Sequence, residues 1–553
     1  MRPAVLRLLA LLAVVAAPAA LPAPASFDAA RWRGDVRIIA TELPARHPDA
    51  FLRLPRATWD SAVRATEARL GGLTRNQALV ALMELVALVH DGHTVINPFF
   101  DPAVGAHWYG VELYRYADGL FIRRASPANA GLAGLKVLRV GRVTSEEALA
   151  RVARIIPHEN EWWATAWAPA WLGLAEVADG LGIADAPDAL SLTVERDGRP
   201  EVVRLRPEGR LGPEGHGGGA AIDRSGWADI AGRAPLPLWR QRPGQLYWSS
   251  WDPATRTLYV CYRAVLSPDH GPSNADFWRE VFRQADSLPL ARLVLDLREN
   301  TGGNNFFNRA VIRGLVARPA LDRPDRLFVI TSGRTFSAAM NLAEDLERWT
   351  GATFVGEPTG NAPLFFGDHV PVPLPASGLT LNVSSLRWSP YDPRDRRAFL
   401  APTLFTPLTS ADDRAGRDPA LAAILSAGAT APLTERLRTA AQAGDSVLAL
   451  RLITEAAASP LRRFRPPEPE VNRLGYDLLG ARDVAAALLV FRANTRAFPR
   501  SANTWDSLGE ALLTAGQHEA GIAAYRQALA LDAGFASSRQ ALTRLGVALP
   551  AAH

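Results

Sequence analysis

A chain of 553 residues, 48% hydrophobic and 21% charged, has the length for three or four domains and the balance of an ordinary globular protein. Its formal charge of +5 is carried almost wholly by arginine, Lys136 being the only lysine, and no dense basic run is interleaved with aromatics, which argues against nucleic acid as a partner. The single cysteine, Cys261, excludes an intrachain disulfide and a cysteine-based metal site.

Residues 1–25 read as a signal peptide. Arg2 and Arg7 form a positive start, Leu8 to Ala17 is a short apolar run, and Ala23-Pro24-Ala25 is a small-residue cleavage site. The expected destination is the periplasm or the medium. The run is too short to span a bilayer, and no other long apolar stretch follows, so no membrane span is expected.

Residues 26–104 read as an N-terminal helical domain. Thr74 and Gln77 have capping-box spacing before an apolar helix, Ala78 to His90. The helix is expected to stop at Asp91-Gly92, with the glycine as a left-handed cap, leaving His93 on a loop just beyond a rigid element. His90 and His93 are three apart, a spacing that can open a metal site, but the other eight histidines are scattered singly and no His-Glu-x-x-His occurs. No metal and no organic cofactor is expected.

Residues 105–210 carry short strand-like runs around one helical stretch, Ser145–Ile156, in an order that looks like a PDZ-type β-rich module. The alternative is an α/β insert without a peptide groove. Gly212–Ala220 is a glycine-rich linker. Residues 225–430 alternate strands and helices as α/β folds do. Cys261 lies there in the strand-like run Thr257–Val265, where a buried structural thiol is expected. A second linker, Arg462–Pro469, interrupts the helical region 433–550. Within that region Leu474-Gly475 recurs at Leu508-Gly509 and Phe491 recurs as Tyr525, both 34 residues on, the tetratricopeptide period.

Three segments carry chemistry. Asp296-Leu297-Arg298-Glu299-Asn300-Thr301-Gly302-Gly303 runs from a buried strand into a double-glycine turn, where backbone N–H groups can approach a ligand and hold an oxyanion. Thr331-Ser332-Gly333-Arg334-Thr335-Phe336-Ser337-Ala338 places Ser337 at a helix N-terminus, where developing negative charge is favoured. The same position suits a plain capping serine. His93, in His90-Asp91-Gly92-His93-Thr94, is placed to act as a general base.

In chain order these segments, with Gly356-Glu357-Pro358-Thr359-Gly360, resemble the tail-specific (carboxy-terminal-processing, Tricorn-like) serine peptidases of family S41 over roughly residues 30–430. The resemblance implies a multidomain α/β protein with a ClpP/crotonase-like α/β catalytic core between the helical N-terminal region, the PDZ-like module and an all-α tetratricopeptide C-terminus. It implies Ser337 as nucleophile, with Ala338 and Gly302 or Gly303 as oxyanion donors. The Ser–Lys branch of the family is closed to this chain, because Lys136 lies in the PDZ-like module and Asn361 and its neighbours supply no lysine. His93 matches the histidine of the Tricorn-like branch. Gly92 stands where that branch has a serine, and Asp395 falls near its acidic residue, with Asp392 and Glu357 as other acids in the vicinity. The implied activity is hydrolysis of peptides or unfolded polypeptide tails, with a protein partner for the C-terminal repeats. Two other readings stand beside it: a weak or inactive peptide-binding protein on the same fold, and a hydrolase of small esters or amides.

Overall fold

The computed structural model describes residues 27–211, 222, 224–427 and 431–549, so the signal-peptide and glycine-linker readings lie outside the described residues. Three helices open the chain, Ala29–Arg46, Arg56–Arg69 and Arg75–Ala87. The third begins on the full capping box of Thr74 and Gln77. It ends earlier than its apolar pattern suggests, at Ala87, and the left-handed residue beyond it is His90 (φ 53°), not Gly92. Gly92 is small for another reason: a Cβ there would come within 2.7 Å of the Phe336 ring.

A seven-stranded sheet of antiparallel pairs follows, ordered Val111–Tyr116, Gly119–Ala125, Lys136–Val140, Leu190–Arg196 and Arg199–Leu205, with the two-residue strands Val143–Thr144 and Ala228–Asp229 paired to Lys136–Val140 and Gly119–Ala125. Helices Ser145–Ala153, Glu161–Leu172 and Ala175–Gly180 lie between its third and fourth strands in sequence. Glu161–Leu172 carries tryptophans and alanines round most of its surface and so shows no clear amphipathic period.

The second large sheet, the mainly parallel one, has six strands in sequence order: Tyr247–Asp252, Thr257–Tyr262, Arg292–Asp296, Leu327–Thr331, Thr353–Gly356 and Leu404–Phe405. The first pairs antiparallel and the rest parallel. Thr257–Tyr262, Arg292–Asp296 and Leu327–Thr331 are buried at every residue, as strands covered on both faces must be. Trp278, Val281, Val311, Met340 and Leu342, from helices Asn274–Ser287, Asn308–Val316 and Ala338–Trp349, fill one face. Ala420 and Ile424 of Pro419–Ala427 close on the other, over Tyr259, Cys261 and Phe328. Cys261 is buried there, and desolvation first, then the Asp296 charge, pushes its thiol up to about 12, so it is inert.

Chain segments cross between these bodies. The hairpin Val370–Pro373/Thr380–Val383 leaves the region of the mainly parallel sheet, and its Val372, Leu381 and Val383 share one core with Trp32, Val36 and Ile39 of the first helix. Asp35 accepts the N–H groups of Ala376 and Ser377 at 3.0 and 2.7 Å. The C-terminal part is all helix, with the pairs Glu468–Gly480/Val484–Ala497 and Ala502–Thr514/His518–Leu531. Gly475 lies against Phe491 and Gly509 against Tyr525, so the 34-residue offset in sequence is a repeated helix contact. No helix among the described residues is long and apolar enough to cross a membrane.

Candidate active site

The site forms where two neighbouring parallel strands end. Beyond Asp296 the chain turns through 297–304, and beyond Thr331 through 332–337, so both turns sit at the carboxyl edge of the sheet, where open α/β sheets bind ligands. They are laced together. Thr335 Oγ1 donates to the Leu297 carbonyl at 2.9 Å, Ser332 Oγ to that of Arg298 at 2.5 Å, and the Phe336 N–H to that of Asn300 at 3.1 Å.

Ser337 ends the second turn with φ 55° and ψ −126°, a conformation that a residue with a Cβ adopts only under constraint. Helix Ala338–Trp349 starts immediately after it. The Ser337 hydroxyl makes no capping hydrogen bond to that helix, so the ordinary use of a serine in this position does not apply. Its backbone N–H is held instead by Asn361 Oδ1 at 2.5 Å. Gly302 (φ 112°) packs under it: a Cβ there would stand 2.6 Å from the Ser337 Cβ.

The oxyanion donors divide unequally. The Gly302 N–H is taken by Asn300 Oδ1 at 3.0 Å. Among the described residues, no acceptor takes the N–H of Gly303 or of Ala338. Those two are therefore the backbone donors free to receive a charge.

His93 follows a buried turn. The Asp91 carboxylate accepts His47 Nε2 (3.1 Å), Thr94 Oγ1 (2.5 Å), Ser384 Oγ (2.6 Å) and the His93 N–H (3.1 Å). Burial opposes its charge, yet the His47 hydrogen bond and the neighbouring donors hold it below the usual carboxylate range. The His93 ring stacks on Phe336 at 4.5 Å and faces Phe365 at 5.7 Å. Desolvation takes its pKa down to about 4 against the opposing pull of Asp91, so the ring is neutral at pH 7, as a proton acceptor must be. Its Nδ1 is buried without a partner.

Ser337 and His93 line one cleft of about 710 Å³, with Thr301, Phe336, His369 and a wall of Phe99, Trp163, Trp167 and Trp171. Among the described residues no hydrogen bond joins the two side chains across the cleft. Such bonds often tighten only around substrate.

Asp395 is not brought to this cleft. Its oxygens are engaged by Arg397 Nε and Nη2, on a segment where Arg397 also binds Glu347 on the far part of helix Ala338–Trp349. Asp392 is paired with Arg394 on the surface. Glu357 is half-buried and outside the cleft lining, its carboxyl pushed up to about 7 by burial.

Two residues to which the sequence assigned no role stand here instead, Glu159 and Asn361, the latter directly after the Gly356–Gly360 motif. Glu159 accepts the Gly92 N–H at 3.2 Å and Asn361 Nδ2 at 2.9 Å. Asn361 in turn holds Ser337. Glu159 comes from a loop 178 positions before Ser337, in no recognisable motif. Asp91, His93 and Glu159 bring one ligand-type atom each within 4.8 Å of one another. The Asp91 oxygens are occupied by four donors and those of Glu159 by two, which leaves the trio poorly suited to a cation.

No family model and no curated protein matches the sequence. Solved structures do resemble it. Mature CPAF complexed with lactacystin aligns with a TM-score of 0.51 at 13% identity, covering 72% of this chain and 98% of that one. The photosystem II D1 C-terminal processing protease aligns at 14% identity with a TM-score of 0.33, covering 71% of this chain and 98% of that one. At such identity the likeness is one of architecture alone: this chain shares its fold with mature CPAF.

Proposed function

We propose that the chain is an exported serine-type peptidase that hydrolyses peptide bonds through an acyl-enzyme on Ser337. The observation that carries this reading is the strained Ser337 at a helix start, its hydroxyl unused for capping, sharing a cleft with a neutral His93. The fold shared with mature CPAF supports it.

In this mechanism His93 takes the Ser337 proton as Oγ bonds to the scissile carbonyl carbon, and the carbonyl π electrons move to oxygen. The N–H groups of Ala338 and Gly303 receive that oxyanion. The C–N bond then breaks, His93 returns the proton to the leaving amine, and water repeats the sequence to release the acid. Asp395 has no step in it.

The signal-peptide pattern of residues 1–25 supports export to periplasm or medium. The 34-residue spacing and the repeated glycine–aromatic contact support reading the C-terminal helix pairs as tetratricopeptide repeats, a surface for a protein partner.

The test is hydrolysis of an unbiased peptide pool by the mature protein, read by mass spectrometry. Cleavage that disappears in Ser337→Ala and falls steeply in His93→Ala is expected. Cleavage retained by Ser337→Ala overturns the assignment.

A further inference from the structure

A chain of hydrogen bonds links the two ends of the cleft through one acid. Gly92, next to His93, donates to Glu159 Oε1, and Glu159 Oε2 accepts Asn361 Nδ2. Asn361 Oδ1 accepts the Ser337 N–H. The direction of this chain is fixed by chemistry. The Ser337 N–H can only donate, so the Asn361 oxygen must face it and the Asn361 NH₂ must face Glu159. An acceptor is therefore required at the far end, and because Glu159 accepts with both its oxygens, from Gly92 and from Asn361, a carboxyl fits where an amide would offer only one acceptor.

The same carboxyl lies within 4.8 Å of a ring nitrogen of His93, whose Nδ1 is buried and unpartnered. In the reaction His93 becomes an imidazolium inside an apolar stack of Phe336 and Phe365. A buried cation there requires an anion close by. Asp91 also lies within that range but is fully committed to His47, Thr94, Ser384 and the His93 backbone. Asp395 is spent on Arg397.

Resting on the peptidase reading above, we infer that Glu159 is the positioning acid of this site: it fixes the His93 loop through Gly92, fixes Ser337 through Asn361, and faces the imidazole that receives the proton. It takes over from a different strand connection the task that a serine at position 92 and an acid near 395 would otherwise share.

The groups facing Glu159 are Asp91, His93, Asn361 and Arg53. Desolvation and the Asp91 charge push its carboxyl up to about 8, with Arg53 opposing. It is thus protonated at neutral pH and becomes able to act as counter-ion to the imidazolium as pH rises through about 8.

The experiment uses the full mature chain and two readouts. One is the rate of phosphonylation by an alkyl fluorophosphonate from pH 5 to 10. The other is the ¹⁵N spectrum of histidine-labelled protein, which follows His93 without any turnover. Wild type is expected to label faster as pH passes about 8. Glu159→Gln should lower the plateau rate ~10- to 100-fold, the scale of a misplaced reacting pair, and erase that ionisation. Glu159→Asp, which keeps a carboxyl, should keep an ionisation in the profile. Unaltered rate, profile and His93 resonances in Glu159→Gln overturn the proposal, as does loss of the ionisation in Asp395→Asn but not in Glu159→Gln. If wild type fails to label at Ser337, it is the peptidase reading that has failed. The His93 resonances then decide for Glu159: a changed titration in Glu159→Gln supports the contact and an unchanged one overturns it.

Discussion

Ser337 is held in place by what surrounds it rather than by its own preferences. Gly302 is the closest support, and its φ of 112° with the 2.6 Å approach to Ser337 leaves no room for a side chain. Gly302→Ala is therefore expected to lower stability by about 1–3 kcal/mol, as overpacking does, and to abolish serine labelling. Denaturant melts and the labelling assay check it. His93 makes a second prediction at this scale. Its folded pKa of about 4 lies below the ordinary 6.5, so the folded protein binds fewer protons than the unfolded chain. The stability it contributes is full above pH 6.5 and is lost as pH falls through about 4, while Asp91, Asp368 and His369 face the ring. Urea melts should show a shallower loss of stability across that window in His93→Gln. Glu159 has the opposite sign: its contribution is complete below its ordinary range and is lost as pH rises through about 8. At this scale the sequence was most legible where local geometry does the work. The glycine turn, the serine at a helix start and the histidine loop are each set by a few adjacent residues. Glu159 and Asn361 were illegible because their roles arise only when four segments converge.

Elements behave similarly. The capping box at Thr74 was readable because both partners lie within one turn. The end of that helix was not. Asp91 draws two donors from its own turn and two from distant His47 and Ser384, while the chain leaves the helix at Ala87 and His90 takes the left-handed position. Helix Glu161–Leu172 escaped notice because apolar residues on nearly every side leave no amphipathic period, and Ala175–Gly180 because six residues are too few to show one. In the C-terminal helix pairs the two equivalent glycines differ. A Cβ at Gly475 drives into the Phe491 ring, whereas at Gly509 it meets Tyr525 at 3.1 Å. Gly475→Ala should therefore destabilise by about 1–3 kcal/mol, and Gly509→Ala distinctly less. Thermal melts followed by circular dichroism compare the two.

The whole molecule is bound together by contacts that no stretch of sequence announces. Asp413, fully buried, accepts Tyr116 Oη (2.5 Å), Arg123 Nε (3.0 Å) and Arg240 Nη1 (2.7 Å), tying the antiparallel sheet to the segments on either side of the mainly parallel one. Asp413→Ala leaves two buried arginines short of their anion and should cost about 3–5 kcal/mol, read as a lower denaturant midpoint. The segment Arg462–Pro469, linker-like in composition, is docked: Phe464 packs among Trp162, Phe399 and Phe405, and Arg465 binds Glu347 at 2.5 Å. Composition marks where a chain lacks regular structure, not whether it is free. The hairpin 370–383 makes the same point, since its partner Asp35 lies over 300 residues earlier. All these ties converge on presenting one serine. Incubation of the mature chain with a fluorophosphonate, followed by peptide mapping, tests that most directly. A single adduct on Ser337, absent from Ser337→Ala and much reduced in His93→Ala, is the predicted result. A folded protein with no adduct, or with one on another serine, would contradict the account.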